Sequence, residues 1–399
     1  MSTEKKKIYI VETSVPTNTG GGQIRNRNLI KQLIKRADVS VEVFCIDSEK
    51  KQVVYEDAGS DLGVTLHVIP GKSVTLLQTA RAIMWGRVMP TMESFKDSGL
   101  GTVFRKRCEE SLPEVVQIEQ LQAYYCIRPH IPWLKERGVK IIFDCHNVES
   151  MLFQESLGIF SFPKKLVGVF LVPNLKKMEI EAAMLADTVL ACSESDAHFF
   201  KMHNAHTRIV PNGVDCSEFE NITRGSTPTL IFIGGSAYPP NADAVEFYLS
   251  NMHQNIKSRV PDIRLLIVGV DTAWLDARGI HDPSVQALGH VPDIRPNLQE
   301  AAVALCPLRY GSGTRIKILT YMAAGLPVVS TSKGAEGVGY VVGDTILVSD
   351  TPEEFAENVL KLLSDTAYAD AVAQRGRNFV LRQHDWNVIG KDMMSAYDL

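Results

Sequence analysis

Short runs of β-branched and aliphatic residues alternate with helix-length amphipathic stretches along nearly the whole chain, which restricts the fold to parallel sheets wound with helices. The first half carries such runs at 8–11, 41–46, 64–69, 115–118, 140–143, 188–191 and 208–210. The rhythm restarts at 230–233 and continues at 264–268, 285–287, 303–306, 328–330 and 345–348. Two such series predict an α/β protein of two Rossmann-like domains. Apolar periodicity lapses over 216–228, so the expected division is a first domain at 1–215, a linker at 216–228 and a second domain at 229–380. A terminal helix is expected within 381–399. With 399 residues, 45% of them hydrophobic, each domain has enough apolar material for its own core.

The formal charge of -4 argues against general nucleic-acid binding, which calls for a strongly basic face. Any anion site must then be local. Seven cysteines without metal-ligand or redox spacing imply free thiols and a reducing compartment. The first residues, Met1 to Lys7, are charged and run straight into a strand pattern with no secretory apolar core, so a cytoplasmic protein is expected.

The segment 307–319 reads Pro-Leu-Arg-Tyr-Gly-Ser-Gly-Thr-Arg-Ile-Lys-Ile-Leu, a glycine-rich loop followed by a short helix with Arg315 and Lys317 at its start. Unpaired N–H groups and the helix dipole favour an anion there, and the two cations add full charges. A phosphorylated ligand fits that arrangement, although a plain turn before a helix with exposed cations has the same local pattern.

After the loop come Tyr321, Met322, Ala323, Ala324, Gly325, Leu326, Pro327, Val328 and Val329, then Gly334, Ala335, Glu336 and Gly337. This run resembles the nucleotide-sugar signature of the retaining GT-B glycosyltransferases, the fourth sequence family (group 1) in particular. The resemblance implies a GT-B fold, with two Rossmann-like domains and a cleft between them, and a terminal helix that crosses back to the first domain. One departure stands out. The family usually carries two glutamates eight positions apart, and the aligned positions here are Ser312 and Thr320. A neutral hydroxyl in place of the carboxylate that holds the donor ribose would cost roughly 1–2 kcal/mol of donor affinity, since bonds to charged groups are worth about twice neutral ones.

The remaining strand-end loops take roles from the same resemblance. The loop 13–23 contains Gly20, Gly21 and Gly22 before a helix, where the backbone can approach a donor closely. Asp144, Cys145, His146, Asn147, Val148 and Glu149 follow a strand, and the resemblance implies His146 beside the transferred sugar, although a lone histidine there equally fits a satisfied structural residue. Glu119 and Asn147 are candidates for acceptor contact, and Glu149 fits the first turn of the next helix. In the second domain Gly234, Gly235 and Ser236 stand where many relatives have an arginine, which leaves the phosphates to Arg315, Lys317 and backbone N–H groups of Gly313 and Thr314. Gly289 to Asp293, with Val291 central, resembles the segment whose backbone holds the nucleobase; an ordinary turn capped by Asp293 fits it too. Asn212-Gly213 reads as a turn and hinge.

These readings converge on a glycosyltransferase, hexosyl or N-acetylhexosaminyl, that moves a sugar from a nucleotide-diphosphate donor to a glycan or lipid-linked acceptor, as in polysaccharide biosynthesis. Positioned cations and helix N–H groups would stabilise the leaving diphosphate. No Asp-x-Asp motif ends a strand, so neither a metal nor another cofactor is expected, and retention of configuration is implied by the resemblance alone. Two alternatives stay open: a donor-binding or scaffolding subunit that lost turnover with its acidic pair, and an epimerase or hydrolase of the same fold. The apolar stretch 157–172 with Lys164 and Lys165, aided by Arg81, Arg87, Arg105, Lys106 and Arg107, suits peripheral docking on the inner face of a membrane, and equally a buried helix with snorkelling lysines.

Overall fold

The computed structural model describes residues 5–17, 21–47, 62–75, 89–157, 162–311 and 313–398. The chain divides into two compact units, Met1–Pro211 with Gly390–Leu399, and Asn212–Ile389. In the first unit, strands β1 (Lys6–Val11), β2 (Val39–Asp47), β3 (Thr65–Pro70), β4 (Val115–Glu119), β5 (Lys140–Cys145), β6 (Thr188–Ala191) and β7 (Thr207–Ile209) form one sheet. Their order is β3-β2-β1-β4-β5-β6-β7 and every pairing is parallel. In the second, β8 (Thr229–Ile233), β9 (Arg264–Val268), β10 (Val285–Gly289), β11 (Val303–Cys306), β12 (Val328–Ser330) and β13 (Leu347–Val348) form a parallel sheet ordered β10-β9-β8-β11-β12-β13.

Helices cover the sheets, so strands such as β6, β11 and β12 are buried along their whole length, and their sequences are nearly continuous rather than alternating apolar runs. Each unit has its own core. Tyr9, Phe44, Phe104, Val116 and Phe143 belong to the first, and Leu230, Ile267, Val303, Tyr321 and Val329 to the second. Each sheet reverses its order once, between β1 and β4 and between β8 and β11. At such a switch point the loops leaving adjacent strands diverge and open a crevice at the carboxyl edge.

Three details differ from the sequence expectation. The division falls between Pro211 and Asn212 rather than within 216–228, because Cys216–Phe219 forms a 3-10 turn, capped by the Asp215 side chain on the Ser217 N–H, that buries Cys216 and Phe219 in the second core. The polar residues around that turn are a solvated edge of the second unit. Likewise the helix Trp386–Met394 changes allegiance after Ile389, so the segment belonging to the first unit begins at Gly390, not 381. Lys6 Nζ donates to the Tyr397 carbonyl at 2.7 Å, and the Tyr397 ring is fully buried. Asn212-Gly213 is not a turn either. Gly213 runs straight against the end of the second unit, where a Cβ would stand 2.6 Å from Ile389 Cδ1 and 2.7 Å from the His384 carbonyl.

Candidate functional site

In the first unit the register sets the chemistry. β4 and β5 pair Glu119 with Asp144, and β1 and β4 pair Val11 with Ile118, so Glu12, Glu119 and Asp144 stand in a row at the carboxyl edge beside the switch point. All three are buried, at 1%, 2% and 0% exposure. Three carboxyls taken out of water in a row require compensation. The helix Gly21–Ile34 supplies it. Arg25, itself buried, donates through Nη2 to both Asp144 oxygens at 2.9 and 3.2 Å and through Nη1 to the carbonyls of Val210 and Pro211. Asn26 donates to Glu12 Oε2 at 2.7 Å. Burial raises the Glu12 and Asp144 carboxyls; Arg25 counteracts the rise at Asp144 and the Asn26 bond that at Glu12.

Glu119 completes the cluster. His146 Nε2 lies 2.9 Å from Glu119 Oε2, His146 Nδ1 lies 2.6 Å from Gln120 Nε2, and the Gln117 amide donates to the other Glu119 oxygen. Burial pushes the Glu119 carboxyl up to about 7 and the His146 imidazole down to about 4, against the pull of Asp144. The ring is therefore neutral, and Glu119 is poised to hold or release a proton near neutrality. Ligand atoms of Glu119, Asp144 and His146 fall within 4.8 Å of one another, close enough for a metal ion. A cation there would have to displace Arg25 from Asp144 and His146 from Glu119, so the residues present are already saturated by one another.

Gly21 and Gly22 prove to be the first residues of their helix rather than a loop before it. Gly22 meets the cluster directly: a Cβ there would stand 3.2 Å from His146 Nδ1 and 3.4 Å from Gln120 Nε2. Gly21 is exposed, Asn147 is half-buried beyond the end of β5, and Glu149 opens the helix Glu149–Ser156. Arg25, Glu12, Asn26, Asp144 and Gln120 are the members that sequence reading did not single out for a role.

In the second unit the loops after β8 and β11 flank the other switch point. The helix Ile316–Ala323 starts at Arg315, its N-cap residue, and Lys317 lies in the first turn. Both cations lie at the helix start, as the spacing indicated. Arg315 is buried and donates to the Gly313 carbonyl at 3.0 Å. Lys317 Nζ donates to Asn241 Oδ1 at 2.7 Å and sits 4.3 Å above the Phe232 ring. Burial, opposed by Cys306 and reinforced by neighbouring Arg315, lowers its ammonium from 10.5 to about 8. The Ile233 N–H donates to the Tyr321 hydroxyl at 2.7 Å, which ties the end of β8 to this helix.

Asn241 links the two loops, since its amide also donates to the Gly235 carbonyl at 3.1 Å. Gly234 leaves it room: a Cβ would stand 2.6–2.8 Å from the Asn241 side chain. Ser236 donates its N–H to the Gly269 carbonyl. Gly311 and Gly313 take left-handed φ values of 112° and 77°, and the Gly311 backbone packs under the Tyr238 hydroxyl. Thr314 donates to the Gly337 carbonyl at 3.3 Å. Thr320 is buried and its hydroxyl donates to the Ile316 carbonyl one turn back, so only its lone pairs face other partners. Ser312 lies outside the described residues. Val291 follows the edge strand β10, two strands from β8, and Asp293 accepts from the Arg295 N–H.

Within the docking stretch 157–172, residues 158–161 and the side chains of 162–167 and 170 lie outside the described residues, as do Arg81 and Arg87. The later turns of the helix Phe162–Leu185 pack inward through Leu171, Leu175, Met178, Ala182 and Ala183. Arg105 pairs with Glu109 at 2.7 Å and stacks on Trp133, and Arg107 is held by both Glu42 oxygens, which leaves those charges largely spent. Among the described residues, no helix is long and apolar enough to cross a membrane. All seven cysteines are buried and free.

Two parallel sheets, each with a polar site at its switch point, define a GT-B protein, and solved structures share the fold over nearly the whole chain. Sucrose-phosphate synthase from Thermosynechococcus elongatus is 16% identical, with a TM-score of 0.73 over 99% of this chain and 98% of that one. Anabaena HepE, solved with UDP and glucose, is 13% identical, with a TM-score of 0.70 over 98% and 99%. WaaG, a glycosyltransferase involved in lipopolysaccharide biosynthesis, is 16% identical, with a TM-score of 0.64 over 96% and 98%. Residues 227–365, within the second unit, match the family model "Glycosyl transferases group 1". An uncharacterized 44.6 kDa protein of the cps region of Klebsiella pneumoniae is 24% identical over 164 residues, 39% of this chain. The chain thus spans about two fifths of the length of that curated relative, 42%.

Proposed function

We propose that this protein is a retaining, metal-independent hexosyl- or N-acetylhexosaminyl-transferase that uses a nucleoside-diphosphate sugar and glycosylates a glycan or lipid-linked acceptor. The observation that carries the reading is the pair Arg315 and Lys317 at the start of Ile316–Ala323, within the group 1 match and beside the switch point of the second sheet. A partly buried lysine with a depressed ammonium is costly without an anion and becomes favourable with one. As the anomeric C–O bond breaks, charge grows on the diphosphate, and cations already in place stabilise it without reorganising. Gly234, Gly235 and Ser236 would shape the donor phosphate pocket, with Gly313 and Thr314 on its other loop. Val291 would face the nucleobase, and Ser312 and Thr320 would stand in for the family's acidic pair.

On the first unit, His146 is assigned to the sugar undergoing transfer, Gly21 and Gly22 to close backbone approach, and Glu119 and Asn147 to acceptor hydroxyls. The neutral imidazole, held by Glu119 and Gln120, would stand beside the sugar without presenting a charge that competes with the diphosphate. UDP in complex with HepE makes uridine diphosphates the first donors to try. The test is thermal stabilisation by uridine, guanosine and adenosine diphosphates and their sugars, followed by transfer to a panel of lipid-linked and free glycans. A base-selective shift abolished in Arg315→Ala/Lys317→Ala, with turnover, supports the proposal. A shift without turnover on any acceptor would indicate a donor-binding subunit, and donor conversion with no acceptor present would indicate an epimerase or hydrolase.

A further inference from the structure

We propose that Gln120 is a positioning residue that locks His146 in a single neutral tautomer, with the ring hydrogen on Nε2. The catalytic meaning of the lock rests on the function proposed above; the lock itself does not.

The first observation is backbone strain. Gln120 has φ +66°, and among the described residues the one other non-glycine with positive φ is Asp398, at the chain end. The left-handed region is unfavourable for a residue with a Cβ, and glycine would occupy it at no steric cost. Strained non-glycine conformations persist only where the surrounding structure enforces them, and they cluster at functional sites.

The second observation is what the strain achieves. Along an extended strand, successive side chains point to opposite faces. Glu119 and Gln120 are consecutive, yet both reach the same imidazole, at 2.9 and 2.6 Å. The left-handed step at the end of β4 is what turns the second side chain onto the ring already held by the first. Gly22 backs the arrangement: its missing Cβ leaves room beside both His146 Nδ1 and Gln120 Nε2.

Hydrogen-bond roles then follow from donor inventory. The Gln120 amide nitrogen can only donate, so Nδ1 must offer its lone pair. The ring hydrogen is left for Nε2, where Glu119 Oε2 accepts it at 2.9 Å, as a carboxylate or as the carbonyl oxygen of the neutral acid. With both nitrogens engaged, the ring can neither rotate nor exchange tautomers without breaking a buried bond. The groups facing the ring include Glu119, Gln120, the first turn at Gly22, and, through the electrostatics of the cluster, Asp144 and Arg25.

The experiment is nitrogen NMR of the full chain labelled with ¹⁵N-histidine, with His146 assigned by subtraction of the His146→Gln spectrum. The expected native signature from pH 6 to 8 is one protonated-type Nε2 and one lone-pair-type Nδ1. In Gln120→Leu the two shifts should move toward tautomer averaging. In Gln120→Glu, whose carboxylate accepts rather than donates, a hydrogen should appear on Nδ1. Gln120→Gly, which relieves the backbone, should lose the lock while melting no lower than Gln120→Leu. A native pattern in both Gln120→Leu and Gln120→Gly would overturn the proposal. Turnover is read alongside: a lost lock with unchanged turnover would sustain the positioning role and sink the catalytic assignment of His146.

Discussion

Replacing Lys317 by methionine should stabilise the ligand-free protein while abolishing its response to a nucleoside diphosphate. The ammonium is pulled from 10.5 to about 8 chiefly by burial, a difference equivalent to about 3 kcal/mol at 1.36 kcal/mol per unit. Methionine keeps the apolar stem and the contact with Phe232 but leaves Asn241 Oδ1 without its 2.7 Å donor, a loss of about 1 kcal/mol. Lys317 also keeps part of its surface in solvent, so the expected net gain is about 1–2 kcal/mol. For a domain of about 150–250 residues, each kcal/mol raises the melting temperature by about 2–4 °C. The sign fixes the pH window. Because the folded value lies below the unfolded one, the penalty is complete below about 8, shrinks as pH rises toward 10.5 and is absent above it. Thermal melts of both proteins at pH 7 and pH 9.5, with and without UDP, test this. The variant should melt higher at pH 7, the gap should narrow at pH 9.5, and UDP should shift only the native protein. A variant that melts lower than native at pH 7 would refute the argument, because the Asn241 bond would then outweigh desolvation.

Asp144→Ala leaves the Arg25 guanidinium buried without its carboxylate, and breaking such a pair from one side costs about 3–5 kcal/mol. The urea midpoint of the first unit should fall accordingly, and the double change Arg25→Met/Asp144→Leu should fall less; equal losses would mean that the pair is not what compensates the row of acids. Gly234→Ala forces a Cβ into the Asn241 side chain and pushes it off Lys317, at about 1–3 kcal/mol. Both the melting temperature and the diphosphate shift should drop, and an unchanged diphosphate shift would separate Asn241 from the anion site. Glu119 is raised from 4.5 to about 7, so stability it contributes at low pH is lost as pH rises across that interval; His146, lowered from 6.5 to about 4, works in the opposite direction. Urea unfolding at pH 5 and pH 8 should therefore show Glu119→Gln gaining on the native protein with rising pH, and a parallel response would show that Glu119 does not titrate where its burial places it.

The strands were legible because parallel strands covered on both faces carry largely apolar runs; the structure extends the runs of β1 and β5 by two residues each and shortens the last, 345–348, to Leu347–Val348. The anion loop was legible for a different reason: glycine-rich turn, helix start and cations are all local. The unit boundary was not. A polar stretch at 216–228 looks the same whether it connects domains or lines the edge of one, and only the burial of Cys216 and Phe219 decides. The helix Gly21–Ile34 was similarly opaque. Arg25, Asn26, Arg27, Asn28 and Gln32 give it the composition of a solvated face, yet all five are buried. No periodicity separates polar residues that face water from polar residues that face buried acids.

One non-local inference was nevertheless available from the chain. Glu12, Glu119 and Asp144 each follow an apolar run immediately or end it, and in a parallel sheet equivalent positions at the ends of neighbouring strands come side by side. Glu119 and Asp144 are register partners, and Glu12 is one step past the Val11–Ile118 pair. Such a row cannot be buried without donors, so a cation had to be supplied from outside the sheet. The first helix follows β1, the strand preceding Glu12, and Arg25 and Asn26 are in its second turn. Arg25 lies within reach of Asp144 and Asn26 of Glu12, which divides the compensation by position along the row. The helix is polar on the side that faces the sheet because the carboxyl edge is acidic, and the acidity is in turn tolerable only because the helix is polar there. All three carboxyls stay raised by burial, and Glu119, in the middle of the row, is raised to about 7 with His146 as its partner, which places a proton that moves near neutrality there.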